Sequence, residues 1–320
     1  MKILFVTATR IGDAVLSTGV LGDLLERHPG ARVTIAAGPA AAPLFEGVPG
    51  LERLIVLAKR RWSLHWAELY RQVAAARWDL VVDLRGSALA YLLRAGQRRV
   101  VAKGEAGEHR VRQLARVFDL DQPPAPRLWT APHHEQAAAQ LLPPGGPVLA
   151  IGPAANWRGK QWRAERFAEL ALRLTAAGAP LAGARVAVLA AAHERAQAAP
   201  LLAALPAARR IDLVGRVDLL TAAAVLRRAA LFVGNDTGIM HIAAAMGTPT
   251  LGLFGPSLPE HYAPWGPHTA VAGTALTYGE LVGTPGYDHR TTDTLMDSLS
   301  VEAAEAAALG LWARVAGEAA

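Results

Sequence analysis

The sequence predicts an α/β protein made of two doubly wound, Rossmann-like parallel sheets. Three observations carry that prediction. Short apolar runs alternate with amphipathic stretches of helical length, the pattern of strands joined by crossover helices. The alternation breaks at Pro123, Pro124, Pro126, Pro132, Pro143, Pro144 and Pro147, then starts again. A chain of 320 residues also exceeds what one hydrophobic core usually serves. The boundary is therefore expected near residue 145, with an N-terminal domain over 1–145 and a C-terminal domain over 146–300.

In the first half, residues 2–6 read as a buried strand and Ala14 to Arg27 as an amphipathic helix ending at His28-Pro29-Gly30. Val33 to Ala36 is a second strand, followed by a short helix around Ala41 to Glu46. Leu54 to Leu57 reads as a third strand, Leu64 to Arg77 as a helix, and Leu80 to Asp83 as a fourth strand ending in Arg85-Gly86-Ser87. The second half opens with a strand at Val148 to Gly152, then a helix at Glu165 to Thr175 and a strand at Val186 to Ala190. A helix from Glu194 to Leu205, a strand at Ile211 to Val214 and a helix from Leu219 to Arg228 continue the set. Leu231 to Val233 is a buried strand that stops at Gly234-Asn235-Asp236. Asp236 or Thr237 is placed to cap a helix running from Ile239 to Met246, which ends at Gly247 with Pro249 beyond. Thr250 to Phe254 is the next strand, and 301–314 form a last amphipathic helix, expected to pack back toward the N-terminal domain.

Composition narrows the function. The chain has no cysteine, which removes disulfides, thiolate catalysis and Cys-ligated metals, and fits a reducing compartment. The apolar run Ile3 to Val6 is too short for a signal peptide, and no apolar stretch is long enough to span a bilayer. A cytoplasmic protein is expected. The formal net charge of +6 favours polyanionic partners. No nucleic-acid-binding signature is visible, so an anionic membrane face or a phosphorylated saccharide ranks above nucleic acid.

The most informative stretch is 231–257, LFVGNDTGIMHIAAAMGTPTLGLFGPS. Two strand ends deliver Gly-containing polar loops to one sheet edge, where open α/β sheets bind ligands, and a helix start there suits a phosphate. Gly238 leaves the backbone approachable. Capping alone also explains Asp236 and Thr237, so both readings stand on spacing. The string D-T-G-x-M-H-x-A-A-A-x-G-x-P followed by L-F-G-P-S, with Met240, His241, Gly255, Pro256 and Ser257, resembles the donor-site signature of glycosyltransferase family 9. These are heptosyltransferases of the lipopolysaccharide inner core. The resemblance implies the GT-B arrangement, two α/β domains facing a cleft.

The first strand runs into Thr9-Arg10-Ile11-Gly12-Asp13. This loop has one glycine where a dinucleotide fingerprint needs three, which disfavours a Rossmann dehydrogenase. Asp13 at a helix start could serve the helix dipole alone, and that position favours the carboxylate and weakens it as a base. The family carries a similar I-G-D in this loop, and the resemblance implies Asp13 as the general base, with Arg10 and Gly12 on the acceptor side. Pro153-Ala154-Ala155-Asn156-Trp157-Arg158-Gly159-Lys160-Gln161-Trp162 is similar to the family's P-G-A-x-W-x-x-K-x-W, with Ala154 in place of Gly. Lys160 would reach the donor diphosphate as a point charge, with Arg158 assisting.

Glu194 follows a strand where similar enzymes contact the nucleoside, although a first-turn helix residue explains it equally. His241 lies one helical turn after Thr237 and reads as a ligand-facing or a core histidine. Asp119-Leu120-Asp121 spells a D-x-D motif but lies away from the donor loops, so no metal and no cofactor are expected. Basic residues cluster in the first half: Lys59, Arg60 and Arg61, then Arg94, Arg98, Arg99, Lys103, Arg110 and Arg112. With Trp62 and Trp66 nearby, Lys59, Arg60 and Arg61 suit an anionic lipid-linked acceptor or headgroups on the inner membrane face, and equally an ordinary solvated surface.

The resemblance implies an inverting, metal-independent transfer of heptose from an ADP-linked donor to a lipopolysaccharide acceptor, with peripheral membrane contact. Two alternatives remain at this point. A nucleotide-sugar epimerase of the same architecture would leave the basic surface unexplained. A non-catalytic nucleotide-sugar-binding protein would have no use for Asp13.

Overall fold

The computed structural model describes residues 1–102, 104–105, 107–283, 287–288 and 290–318. The chain divides into two compact units, Met1–Ala131 and Pro132–Ala320.

The first unit contains β1 (Lys2–Val6), α1 (Ile11–Arg27), β2 (Arg32–Ala37), β3 (Leu51–Val56), α2 (Leu64–Val73), β4 (Trp78–Asp83), α3 (Leu89–Leu92), β5 (Ala95–Val100) and α4 (Arg110–Val117). Its strands are all parallel and lie in the order β3-β2-β1-β4-β5. Leu4, Val6, Ile55, Leu69, Val73, Trp78 and Val81 share one core between the sheet and α2. The helix expected to reach Arg77 ends at Val73, whose carbonyl accepts the Trp78 indole N–H at 3.1 Å. α1 begins at Ile11 rather than Ala14, so Gly12 and Asp13 lie within its first turn. Gly12 is therefore helical.

β5 and α4 had no sequence signal. β5 is an edge strand, AGQRRV, whose consecutive arginines hide the alternation of a half-buried strand. α4 is capped by the His109 ring, whose Nδ1 accepts from Val111 N–H at 3.2 Å.

The second unit contains α5 (Pro132–Leu141), β6 (Val148–Gly152), α6 (Ala164–Leu174), β7 (Arg185–Val188), α7 (Arg195–Ala204), β8 (Arg210–Asp212), α8 (Leu219–Leu226), β9 (Leu231–Asn235), α9 (Gly238–Ala245), β10 (Thr250–Phe254), α10 (Pro259–Tyr262), β11 (Thr269–Gly273), α11 (Tyr278–Val282) and α12 (Val301–Glu318). Its sheet is parallel in the order β11-β10-β9-β6-β7-β8. Two parallel α/β sheets are the predicted fold class. The units part at Ala131 rather than near 145, because α5 packs on α8 and Arg228 binds the Glu135 carboxylate at 2.5 Å. α12 packs within the second unit. Its buried face, Val301, Ala304, Ala308 and Leu311, belongs to the second unit's core with α6, β10 and β11.

The Pro-rich stretch is only partly a linker. Arg127 N–H donates to Thr18 Oγ1 at 2.9 Å, laying this segment along α1. A Cβ on Gly19 would stand 2.3 Å from the Pro124 carbonyl oxygen, so helix and segment meet backbone to backbone. Helix propensity alone favours Ala over Gly by about 1 kcal/mol. Overpacking against a backbone that cannot yield costs about 1–3 kcal/mol. Gly19→Ala should therefore lower the melting temperature. Gly310→Ala in α12, where nothing lies within 4 Å of the added carbon, should raise it. Thermal denaturation of both variants checks the pair; a stabilised Gly19→Ala would mean that the segment is not held on α1.

Candidate functional site

The strand order reverses between β6 and β9, which pair directly with Gly152 opposite Gly234. At such a reversal the crossovers leave on opposite faces and open a crevice beyond the strand ends. The loops after β6 and β9 lie at that point. A Cβ on Gly152 would come within 2.9 Å of both Ile239 and Phe232, so only glycine lets α9 sit this low over the strand ends. Asn235, wholly buried, joins the two loops. Its amide donates to the Pro153 carbonyl at 2.8 Å, and its oxygen accepts from Trp162 N–H at 3.1 Å.

Within this frame Lys160 Nζ lies 2.5 Å from Asp236 Oδ2. The Asp236 side chain is 6% exposed and that of Lys160 23%, so the pair sits at the lip of the crevice. His241 Nε2, on the first turns of α9, stands 4.0 Å from the other Asp236 oxygen. Asp236 is thus the counter-ion of Lys160 and not a helix cap. Thr237 occupies the N-cap position of α9, yet its side chain makes no capping bond. Its hydroxyl is buried with no hydrogen-bond partner among the described residues. The Ser257 hydroxyl and the Trp157 indole N–H are buried and unpartnered in the same way. These three groups follow β9, β10 and β6. Buried polar atoms are rarely left unsatisfied, and three on adjoining loops beside a helix start describe a polar ligand site. The leading N–H groups of α9 and Lys160 suit it to an anion.

The loop 255–257 is braced from outside. Gly255 and Pro256 are buried, and a Cβ on Gly255 would meet Met296 Sδ at 2.5 Å. Met296 belongs to a segment that clamps the Lys160 loop and that had no signal in the sequence. Arg158 Nε donates to Asp293 at 2.5 Å, and Arg163 grips Asp297 through two bonds of 2.6 Å. Leu295 N–H donates to the Gly159 carbonyl at 3.0 Å, and Trp162 Nε1 to the Leu299 carbonyl at 2.9 Å. The hydrogen bond from Arg158 holds the Asp293 carboxyl below the usual carboxylate range, and Arg163 does the same for Asp297. Arg158 is therefore engaged by a carboxylate 135 residues away in sequence. Glu194 accepts from Ala191 N–H at 2.9 Å in the turn after β7, which is next to β6.

In the first unit the order reverses between β1 and β4. Asp13 follows β1 at the third position of α1, and Arg10, at the N-cap, is exposed. After β4, Asp83 accepts from Arg85 N–H and Ser87 N–H at 2.9 Å each and fixes that loop. Lys59, Arg60 and Arg61 follow β3, are exposed, and form no ion pair among the described residues. Four of the second basic group bind within their own unit. Arg94 binds the Ala75 carbonyl, Arg98 the Ala90 and Leu93 carbonyls, Arg99 Asp119, and Arg110 Gln113. Lys103 lies outside the described residues. Asp119, of the D-x-D string, is taken up by Arg99 at 2.6 Å.

Comparison with known proteins adds family and fold similarity to this geometry. The sequence model of Glycosyltransferase family 9 (heptosyltransferase) matches residues 87–280. The lipopolysaccharide heptosyltransferase 1 of Pseudomonas aeruginosa is 28% identical over 302 residues, covering 83% of this chain and 82% of the relative. Among solved structures, a family 9 glycosyl transferase from Veillonella parvula superposes with a TM-score of 0.81 at 20% identity, covering 98% of this chain and 97% of that one. An Escherichia coli heptosyltransferase solved with ADP gives a TM-score of 0.71 at 20% identity, over 96% and 98% of the two chains.

The unpartnered Thr237 hydroxyl has a measurable consequence. Leaving a buried polar group unsatisfied costs about 1–3 kcal/mol. Thr237→Val removes the hydroxyl at nearly constant shape, so the melting temperature of the free protein should hold or rise. Asn235→Ala breaks two satisfied buried bonds and should lower it markedly. A drop in the Val variant, matching the ~1 kcal/mol of a lost cap, would show that the hydroxyl does cap α9.

Proposed function

The chain belongs to glycosyltransferase family 9, and we propose that it transfers a heptose or related sugar from an ADP-linked donor to a lipopolysaccharide inner-core acceptor, with inversion and without a metal. One observation carries the donor side: Lys160, held by Asp236, stands beside an uncapped helix start and buried unpartnered hydroxyls at a strand reversal. That is a site for a diphosphate. The relatives named above, one of them solved with ADP, support the nucleotide and the acceptor class.

In this reading Asp13 takes the proton from an acceptor hydroxyl. The freed oxygen pair forms a bond to the anomeric carbon from the face opposite the diphosphate. The anomeric C–O bond breaks, and its electron pair leaves on the diphosphate. Negative charge on the leaving group grows as the bond breaks, and Lys160 with the leading amides of α9 offsets it. Asp236 gives Lys160 a partner before the donor arrives, so the diphosphate takes over a cation already in position. Thr237, Gly238 and Ser257 complete the phosphate contacts. Gly255 and Pro256 shape the loop, His241 buttresses Asp236, Glu194 meets the nucleoside, and Arg158 exchanges Asp293 for the donor. On the acceptor side Arg10, Gly12, Lys59, Arg60 and Arg61 receive the anionic saccharide. The domain limits follow the two units rather than residue 145, with the first unit acceptor-binding and the second donor-binding. The protein works in the cytoplasm, against the inner membrane face; among the described residues no helix is long and apolar enough to cross a membrane.

Asp13→Asn should lower turnover at least ~10²-fold, as loss of a general base does, with ADP affinity by calorimetry unchanged. Lys160→Ala should weaken ADP binding and turnover together, because its charge counts for more as the leaving group develops. If Lys160→Ala binds ADP like the parent while Asp13→Asn does not, the donor and acceptor roles are assigned to the wrong units.

Metal independence has its own test. Transfer should proceed undiminished in excess EDTA, and rescue of a lost rate by Mg²⁺ or Mn²⁺ would overturn it.

A further inference from the structure

The sheet of the second unit ends on β8, an edge strand beside β7. Side chains alternate along a strand, so Arg210 and Asp212 share one face of β8 and Ile211 takes the other. On α7, Arg195, Ala199 and Leu202 recur at the spacing of one helical face. Between these two faces lies a cavity of about 540 Å³, which Arg216 also lines. β7 stands between β8 and β6, so the cavity is set apart from the reversal where β6 and β9 meet. It shares no lining residue with the loops that carry Lys160, Thr237 and Ser257.

Three arginines line this cavity against a single carboxylate. Arg195 binds Asp212 at 3.0 Å and also donates to the Val214 carbonyl at 2.8 Å. Arg216 stands 3.8 Å from the same Asp212. Arg210 forms no ion pair among the described residues, and its guanidinium donates to the Leu202 carbonyl at 2.7 Å. Burial opposes the Asp212 charge, but the hydrogen bonds from Arg195 and from Val214 N–H outweigh it and hold the carboxyl below the usual carboxylate range. Three cations and one anion leave the walls with two positive charges in excess. Crowding guanidiniums in this way works against folding, because the cations repel one another.

The surplus has a natural partner. A phosphate monoester carries a charge of about −1.5 to −2 at pH 7, and its oxygens match the guanidinium fork. Small-molecule sites run to roughly 300–1,000 Å³, and this cavity holds more than a bare phosphate needs. Ala199 and Leu202 offer an apolar wall to the carbon body of a ligand.

We propose that the cavity between α7 and β8 binds a phosphate monoester of sugar-phosphate size, with Arg210 and Arg216 on the phosphate and Arg195 held in place beside them by Asp212. The site lies outside the transfer machinery proposed above and does not depend on that reaction.

Ligand-observed NMR titration with glucose 6-phosphate tests it. The parent should bind this ester in the millimolar range or tighter, and more weakly at high salt. Glucose should not bind at the same concentrations. Inorganic phosphate should bind several-fold more weakly than the ester, because it leaves the apolar wall uncovered. The double variant Arg210→Gln, Arg216→Gln should lose at least ~10-fold in affinity. Ala199 is exposed on its helix, so Ala199→Glu removes no bond and adds a carboxylate to the cavity wall. That variant should melt like the parent and fail to bind. Lys160→Ala should bind glucose 6-phosphate like the parent.

Three outcomes overturn the proposal. The parent could fail to bind glucose 6-phosphate. Binding could survive Ala199→Glu or the double variant, and its loss in Lys160→Ala would then put the phosphate at the reversal of β6 and β9. Or inorganic phosphate could bind as tightly as the ester, which would leave an adventitious anion site only. None of these measurements needs a sugar donor, an acceptor or turnover, so this site stands or falls apart from the transfer reaction.

Discussion

The pairing of β6 with β9 is the constraint from which the geometry of the candidate site follows. These strands are far apart in sequence, and parallel pairing aligns their carboxyl ends. Their crossovers run to opposite faces, which opens a crevice at the point where they part. Two loops must then solve one packing problem over the same strand ends. Glycine at Gly152 and Gly234 brings α9 close, and Asn235 supplies the bonds that hold the loops together. Lys160 and Asp236 meet across the two loops so joined.

A partly buried ion pair is poor stability material, since desolvation offsets most of its attraction. Its value here is positional. A lone lysine at the lip of the crevice would have a hydrated, mobile head; Asp236 gives it one location and His241 backs Asp236. In the proposed function an incoming diphosphate would compete with Asp236 for the ammonium, which would limit how tightly product is retained. The same logic runs through Arg158 and Asp293 at the outer side of the loop. Preorganised cations with resident counter-ions suit turnover of an anionic ligand better than bare cations, which would hold the product too well.

The fold class was legible because buried parallel strands are short apolar runs, and burial on both faces writes itself into composition. The string from Leu231 to Ser257 was legible because strand, turn and helix signals lie side by side in it. What the sequence hid has a common cause. β5 carries arginines because it is an edge, and edges are chosen for charge rather than pattern. The ion pair of Asp236 was hidden because local spacing offers a helix start but not a lysine from another loop. The clamp of Asp293 and Asp297 was invisible because its partners are more than a hundred residues distant, and isolated aspartates in a polar stretch signal nothing. The boundary slipped because α5 belongs to a core that its own Pro-flanked sequence does not advertise.

Net charge shows the same limit from another side. The first-half cations look alike in the sequence, and a total of +6 does not say which of them face a partner. Arg98, Arg99 and Arg116 are consumed by carbonyls and carboxylates of their own unit, so their field is largely cancelled at the surface. Lys59, Arg60 and Arg61 form no ion pair among the described residues, and they stand beside Trp62, which is 86% exposed. A cation bound within its own fold is structural, whatever it contributes to the isoelectric point. Only the unpaired ones remain able to exchange counter-ions for an anionic surface, and that exchange is what a basic patch does in solution.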